Sequence, residues 1–179
     1  MCSSDNNVEY VLRRLSVATI IMVGCIIHYI SRKGLLIMSD FETLIKEYLS
    51  IEACDRGGFF LAKVQTVDGY SKAFPMIWEL VETFMCKTAV LDGILDISEY
   101  AVIQGLAIHR HGAPFDPKEF KQRIGDFARE GADTKIAEVA FAMLPEYVRD
   151  DIVMMLICFA SVDADVSPKE SEWISTLCF

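Results

Sequence analysis

Two short stretches of this sequence concentrate carboxylates at a spacing able to hold a cation. Asp92-Gly93-Ile94-Leu95-Asp96-Ile97-Ser98-Glu99 is matched, 71 residues later, by Asp163-Ala164-Asp165-Val166-Ser167-Pro168-Lys169-Glu170. Asp92, Asp96 and Glu99 in one, and Asp163, Asp165 and Glu170 in the other, supply three oxygen-bearing groups within eight residues. Such a set suits a hard divalent cation, with water completing its shell. It lacks the dense ligand ladder of a twelve-residue EF-hand loop, so the expected affinity for Ca, Mg, Mn or Zn is weak.

The same residues suit a purely structural task. In both stretches an Asp ends an apolar run, a small residue follows, an aliphatic takes the fourth position, a capping residue the fifth and Glu the eighth. A small second residue permits the left-handed turn that stops a helix. Asp96 or Ser167 then accepts hydrogen bonds from the first N–H groups of the next helix, while Glu99 or Glu170 reaches back to the cap. Capping and coordination both account for the pattern.

Other candidate chemistry is sparser. His109-Arg110-His111 precedes Gly112, where cations favour a helix C-terminus; the alternative is a small metal-dependent hydrolase or nucleotide-handling enzyme using His109 or His111 as base. No nucleophile and base stand at defined offsets, and Gly57-Gly58 lacks the further glycines and following Lys of a phosphate loop. Gly57-Gly58 reads instead as a helix break, and Asp68-Gly69, with Pro75 where the motif requires Glu, as a turn.

The elements that would position these residues are helices. Ile77, Leu80, Val81, Phe84, Met85 and Thr88 recur at intervals of three and four, predicting a helix over 76–90. Further helices are expected over 98–109, over 117–130 behind Asp116-Pro117-Lys118-Glu119, over 133–143, and from Pro145 with Val148, Ile152, Met155, Leu156 and Phe159 on its inner side. A short helix over 59–67 fits between Gly57-Gly58 and Asp68-Gly69, and Trp78 and Trp173 lie on apolar helical faces as core residues. The fold class is all-α, a compact helical bundle.

Composition narrows the partners. The 179 residues carry 17 Lys+Arg against 26 Asp+Glu, a net charge of −9 that repels nucleic-acid backbones, and 53% are hydrophobic, ample for a core. Six scattered cysteines without metal-ligand spacing read as small apolar residues of a reducing compartment. Residues 1–37 differ from the rest: Arg13, Arg14, Arg32 and Lys33 flank the run SVATIIMVGCIIHYI over 16–30, giving a net +2 beside −11 for 38–179. This leader is short for a membrane span; it is a membrane anchor, a signal or a buried helix, or it lies ahead of a mis-assigned start and the true initiator is Met38, with Ser39 or Asp40 capping the first helix. The last reading places a 38–179 helical domain in the cytoplasm, membrane association following only if the leader anchors.

The run EVAFAMLPEYVRDDIVMMLICFASVDADVSPKESEWISTL over 138–177 resembles the C-terminal half of TerB-like domains: helix, Leu-Pro, helix, then an Ala-x-x-Asp-Gly-x-Val-Ser-x-x-Glu hairpin. Ala160 to Glu170 follows that pattern except for Ala164 in place of Gly; Ala89 to Glu99 keeps Gly93 but has Leu95-Asp96 where Val-Ser is usual. The resemblance covers roughly 39–179. It implies two pseudo-repeated halves, a non-enzymatic role in the response to tellurite and other stress, a protein partner, and divalent metal held by acids matching Asp92, Glu99, Asp163 and Glu170.

Overall fold

The computed structural model describes residues 43, 45–46, 48–91, 95–130, 134–163 and 165–178. The leader, the Met38 start and the Ser39 or Asp40 cap all lie outside the described residues. Among the described residues, seven helices of defined bounds follow in order: α1 (Ala53–Tyr70), α2 (Ile77–Thr88), α3 (Ile97–His111), α4 (Pro117–Glu130), α5 (Lys135–Ala142), α6 (Glu146–Ala160) and α7 (Pro168–Thr176). The chain is all-helical among the described residues, as its periodicity predicts. None of these helices is long and apolar enough to cross a membrane.

α6 is the axis of the structure. Val148 and every residue from Ile152 to Ala160 are buried. A helix apolar on all sides needs neighbours on all sides, and α6 packs most extensively on α1 and also meets α2, α7 and α3. α2 forms the second layer, touching α1, α4, α5 and α7 as well. At their junction Phe84 presents its ring edge-on to Phe141 of α5 and Trp173 of α7, with centroids 5.5 and 5.8 Å away. Both tryptophans are buried, Trp78 and Trp173 alike, as expected of core residues.

One buried charge at this core is paired across helices. Lys63 of α1 is buried and forms an ion pair with Asp151 of α6, whose second oxygen accepts from the Tyr70 hydroxyl at 2.6 Å. Cys86 and Cys158 are buried; burial pushes the Cys158 thiol up to about 12, so it behaves as a small apolar side chain.

The boundaries expected from capping hold well where the cap is local. α4 begins at Pro117, and Asp116 Oδ1 accepts from the N–H groups of Lys118 and Glu119 at 2.8 and 3.2 Å. α6 begins at Glu146, with Pro145 itself as N-cap.

The stretch around Gly57-Gly58 requires correction. No break occurs there: α1 runs continuously for 18 residues through Gly57, Gly58 and Asp68-Gly69. Each helical glycine costs roughly 1 kcal/mol relative to Ala. That local cost is outweighed because Val64 and Val67 are buried against the core and Phe59, Phe60 and Tyr70 pack partly against it.

A Cβ built on Gly57 meets nothing within 4 Å, and the residue is exposed. Gly57→Ala is therefore expected to raise unfolding stability by about 0.5–1 kcal/mol, measured by chemical denaturation, chiefly by reducing the freedom of the unfolded chain.

Candidate functional site

The two acidic hairpins join α2 to α3 and α6 to α7. In the first, Thr88 ends α2 with its hydroxyl donating to the Phe84 carbonyl at 2.9 Å. Residues 92–94 lie outside the described residues, and with them Asp92 and Gly93. Beyond them, Leu95 packs partly against the core. Asp96, at φ −70° and ψ 153°, caps α3. Its Oδ1 accepts from Ser98 N–H at 2.6 Å, and Glu99 Oε2 accepts from Asp96 N–H at 3.0 Å.

The second hairpin repeats this chemistry with a different capping residue. Ser161 is buried at the end of α6, its hydroxyl turned back to the carbonyls of Ile157 and Cys158 at 2.8 and 3.1 Å. Ser167 caps α7 at φ −64° and ψ 153°, its Oγ accepting from Glu170 N–H at 3.2 Å. Glu170 Oε2 accepts in return from Ser167 N–H at 2.8 Å, and Pro168 occupies the first turn. Val166 packs partly against the core as the counterpart of Leu95. Ala164, the departure from the motif, lies outside the described residues.

The duplicated pattern thus becomes two capping boxes with nearly equal cap torsions. Each box buries its glutamate: Glu99 and Glu170 are both only 6% exposed. Burying a carboxylate is tolerable when N–H groups bond it and the positive end of a helix dipole lies beside it. Asp96 shows the same influence, its carboxyl held below the usual carboxylate range mainly by the Ser98 N–H.

The remaining acids are placed differently. Asp163 and Asp165 are exposed, and each has one oxygen engaged locally: Asp163 Oδ1 accepts from Asp165 N–H at 3.1 Å, and Asp165 Oδ1 from Val166 N–H at 2.9 Å. Among the described residues no three His, Cys, Asp or Glu side chains gather in a geometry suited to a metal ion. In the second hairpin the backbone is the reason, since Asp163, Asp165 and Glu170 each direct an oxygen to a different N–H.

The histidines sit elsewhere. Gly112, with φ 74°, closes α3 in the left-handed conformation that its lack of a Cβ permits. The helix-end placement expected of His109, Arg110 and His111 is observed, but their partners were not legible in local spacing. His109 Nε2 lies 2.6 Å from Asp68 Oδ2, and Asp68 Oδ1 accepts from the Trp78 indole at 3.0 Å. Arg110 forms an ion pair with Glu82 and lies 5.4 Å from the Trp78 ring centroid, while His111 Nε2 stands 3.7 Å from Glu82 Oε1. Ten residues of helix separate Glu99 from His109, about 15 Å at 1.5 Å per residue. The structure therefore sets His109 at the opposite end of α3 from its cap.

A third polar cluster escaped the sequence reading altogether. Lys87 of α2 lies with Nζ 3.4 Å from the centroid of the Trp173 ring, donates to Thr134 Oγ1 at 2.9 Å and pairs with Glu138 at 3.5 Å. Partial burial lowers the Lys87 pKa. Only the apolar setting of Trp173 hinted at this cluster, because its members are up to 86 residues apart in sequence.

No protein-family model, curated protein or solved structure matches the chain.

Two measurements follow from the capping boxes. Ser167→Ala removes the side-chain acceptor of α7 and is expected to cost about 1 kcal/mol in chemical denaturation. Asp96→Asn keeps a capping oxygen but removes the charge. Because the Asp96 pKa is depressed on folding, its charge stabilises fully above the ordinary carboxylate range, and that contribution is lost as pH falls through the depressed value. The wild-type advantage over Asp96→Asn should therefore be largest at neutral pH and close on acidification, read from denaturation midpoints across the acid range.

Proposed function

We propose that this chain is a non-enzymatic, TerB-like stress-response module that acts by binding, its two acidic hairpins contacting a protein partner and, weakly, a divalent cation. The observation that carries this reading is the recurrence of one hairpin design at α2–α3 and α6–α7. In each, a buried glutamate closes the cap and an aliphatic side chain plugs the corner. The two halves of the pseudo-repeat are centred on these hairpins.

The capping geometry divides the six acids by task. Glu99 and Glu170 hold the helix starts, while Asp163 and Asp165 face solvent two residues apart. A carboxylate oxygen accepts more than one bond, so an aspartate that orders its loop still offers lone pairs to a cation. Weak coordination by Asp163 and Asp165, and by Asp92 with Asp96 in the other hairpin, then draws most of its ligands from water. The charge of −11 over 38–179 supports a partner with a basic surface, met through electrostatic complementarity. Binding is favoured over hydrolysis by the position of His109, tied to Asp68 and a helix length from the first hairpin. The scattered cysteines suit a reducing compartment such as the cytoplasm.

Titration calorimetry of the full chain with calcium, magnesium, manganese and zinc tests the metal part. Binding on the order of millimolar or tighter is expected. The pair Asp163→Asn with Asp165→Asn should remove one site, whereas Ser167→Ala should lower stability and leave the heat of binding in place. Absence of heat for all four ions in the wild type would refute the cation role. For the stress role, the full chain produced in a tellurite-sensitive host should raise the tolerated tellurite concentration, and no increase in tolerance would count against it.

A further inference from the structure

Lys87 is a meeting point of three helices. It stands one residue from the end of α2, and its side chain is 22% exposed. Its Nζ lies 3.4 Å from the centroid of the Trp173 ring on α7 and donates at 2.9 Å to the Thr134 hydroxyl, which donates in turn to Glu138 Oε1 on α5. The same Glu138 oxygen stands 3.5 Å from Nζ. Amine, hydroxyl and carboxylate thus form a chain in which each donor faces the next acceptor.

Two details set this cluster apart from a structural tie. Thr134 occupies the N-cap position of α5, yet its hydroxyl makes no cap bond; only 4% exposed, it is given to the amine and the carboxylate instead. The Trp173 indole N–H is buried and has no acceptor among the described residues, which leaves a donor without a task on the ring that the amine covers. A lysine desolvated beside an aromatic face, with a base in reach that is itself held by a third group, is the arrangement of an activated amine nucleophile.

We propose that Lys87 is a carbonyl-capture site: its amine adds to a small uncharged aldehyde, and Thr134 and Glu138 carry the protons of that reaction. At rest Lys87 is an ammonium and Glu138 a carboxylate. The ammonium passes a proton to Thr134 as the Thr134 hydroxyl passes its own to Glu138. The freed Nζ lone pair then forms a bond to the carbonyl carbon, and the C=O π pair moves to oxygen. Glu138 returns its proton to that oxygen and takes one from nitrogen, leaving a neutral carbinolamine. It gives this proton to the carbinolamine hydroxyl; the C–O bond breaks, water departs, and the nitrogen lone pair closes the C=N bond. Glu138 ends as a carboxylate and Nζ as a protonated imine.

Charge selects the substrate. The protonated imine keeps the positive charge of the lysine, so the contacts with the Trp173 face and with Glu138 survive, whereas acylation of the amine would discard both. An anionic acyl donor would also meet Glu138 and the −11 carried over 38–179, a barrier that a neutral aldehyde does not face. Partial burial lowers the Lys87 pKa, with Glu138 opposing it, and so enlarges the share of free amine. This inference stands apart from the cation and partner binding proposed above.

The test treats the full chain with propanal and sodium cyanoborohydride at neutral pH and follows propyl-lysine at each position by peptide mapping. Lys87 is expected to label at least about 10-fold faster than the exposed Lys118 and Lys169, the low end of what positioned proton transfer supplies. Thr134→Val should slow Lys87 by roughly the same factor, and Thr134→Ser should restore the rate. Glu138→Gln separates a relay from mere burial. It removes the charge that holds the Lys87 pKa up, so a lysine activated by burial alone would label faster, whereas loss of the relay slows it. Circular dichroism and unchanged rates at Lys118 and Lys169 check that each variant is folded, and if Glu138→Gln is not, the Thr134 pair decides. Labelling of Lys87 no faster than that of the exposed lysines, a faster rate in Glu138→Gln, or equal rates in Thr134→Val and Thr134→Ser would each overturn the proposal.

Discussion

The structure depends on one helix whose last nine residues have no solvent face. Nine consecutive buried residues, Ile152 to Ala160, leave this part of α6 without a side on which to tolerate water. α1, α2, α3 and α7 are arranged around it accordingly. Its polar groups are confined to its two ends. At the start, Asp151 is neutralised by Lys63 and Tyr70 across the α1 interface; at the finish, the Ser161 hydroxyl satisfies carbonyls that helix termination would leave unpaired. An ion pair so enclosed contributes less through its attraction than through the penalty of breaking it, so it fixes the register of α1 against α6.

The hairpins follow from that constraint. A helix sheathed on all sides must turn sharply where its sheath ends, and the chain must restart as a helix that packs back onto it. Both restarts use a glutamate at the third helical position, buried and bonded to the cap N–H. This is why the acids divide by task. A glutamate committed to a buried cap is poorly placed to leave it for an ion, whereas Asp163 and Asp165 bond only their own loop at the surface. Any cation must compete with backbone N–H groups for those oxygens, which limits affinity by construction.

What the sequence made legible is what local chemistry decides. The Asp116-Pro117 start of α4, the Ser167-Pro168 start of α7 and both capping boxes were readable, because a cap is satisfied within four residues of itself. The stripe over 76–90 located α2 to within two residues at its C-terminus. Gly57-Gly58 misled for the complementary reason: the glycines' local cost is visible, but the burial of Val64 and Val67 that offsets it is not. Lys63 with Asp151, His109 with Asp68 and Lys87 with Thr134 join residues 88, 41 and 47 positions apart, and spacing carries no information about them.

α7 shows how the local and distant contributions combine. With nine residues it is too short to be stable as an isolated helix. Its Trp173 lies against Phe84 on one side and beneath the Lys87 ammonium on the other, and Ile174 and Leu177 enter the core beside it. These contacts hold α7 only if its first turn is formed and aimed correctly, and that is set by Ser167, Pro168 and Glu170. The cap and the aromatic anchor are therefore coupled: loosening Glu170 shifts the start of the helix that carries Trp173. A site built at this hairpin inherits that coupling, so a ligand drawing Glu170 outward would act against the packing of α7, while one confined to Asp163 and Asp165 would leave it undisturbed.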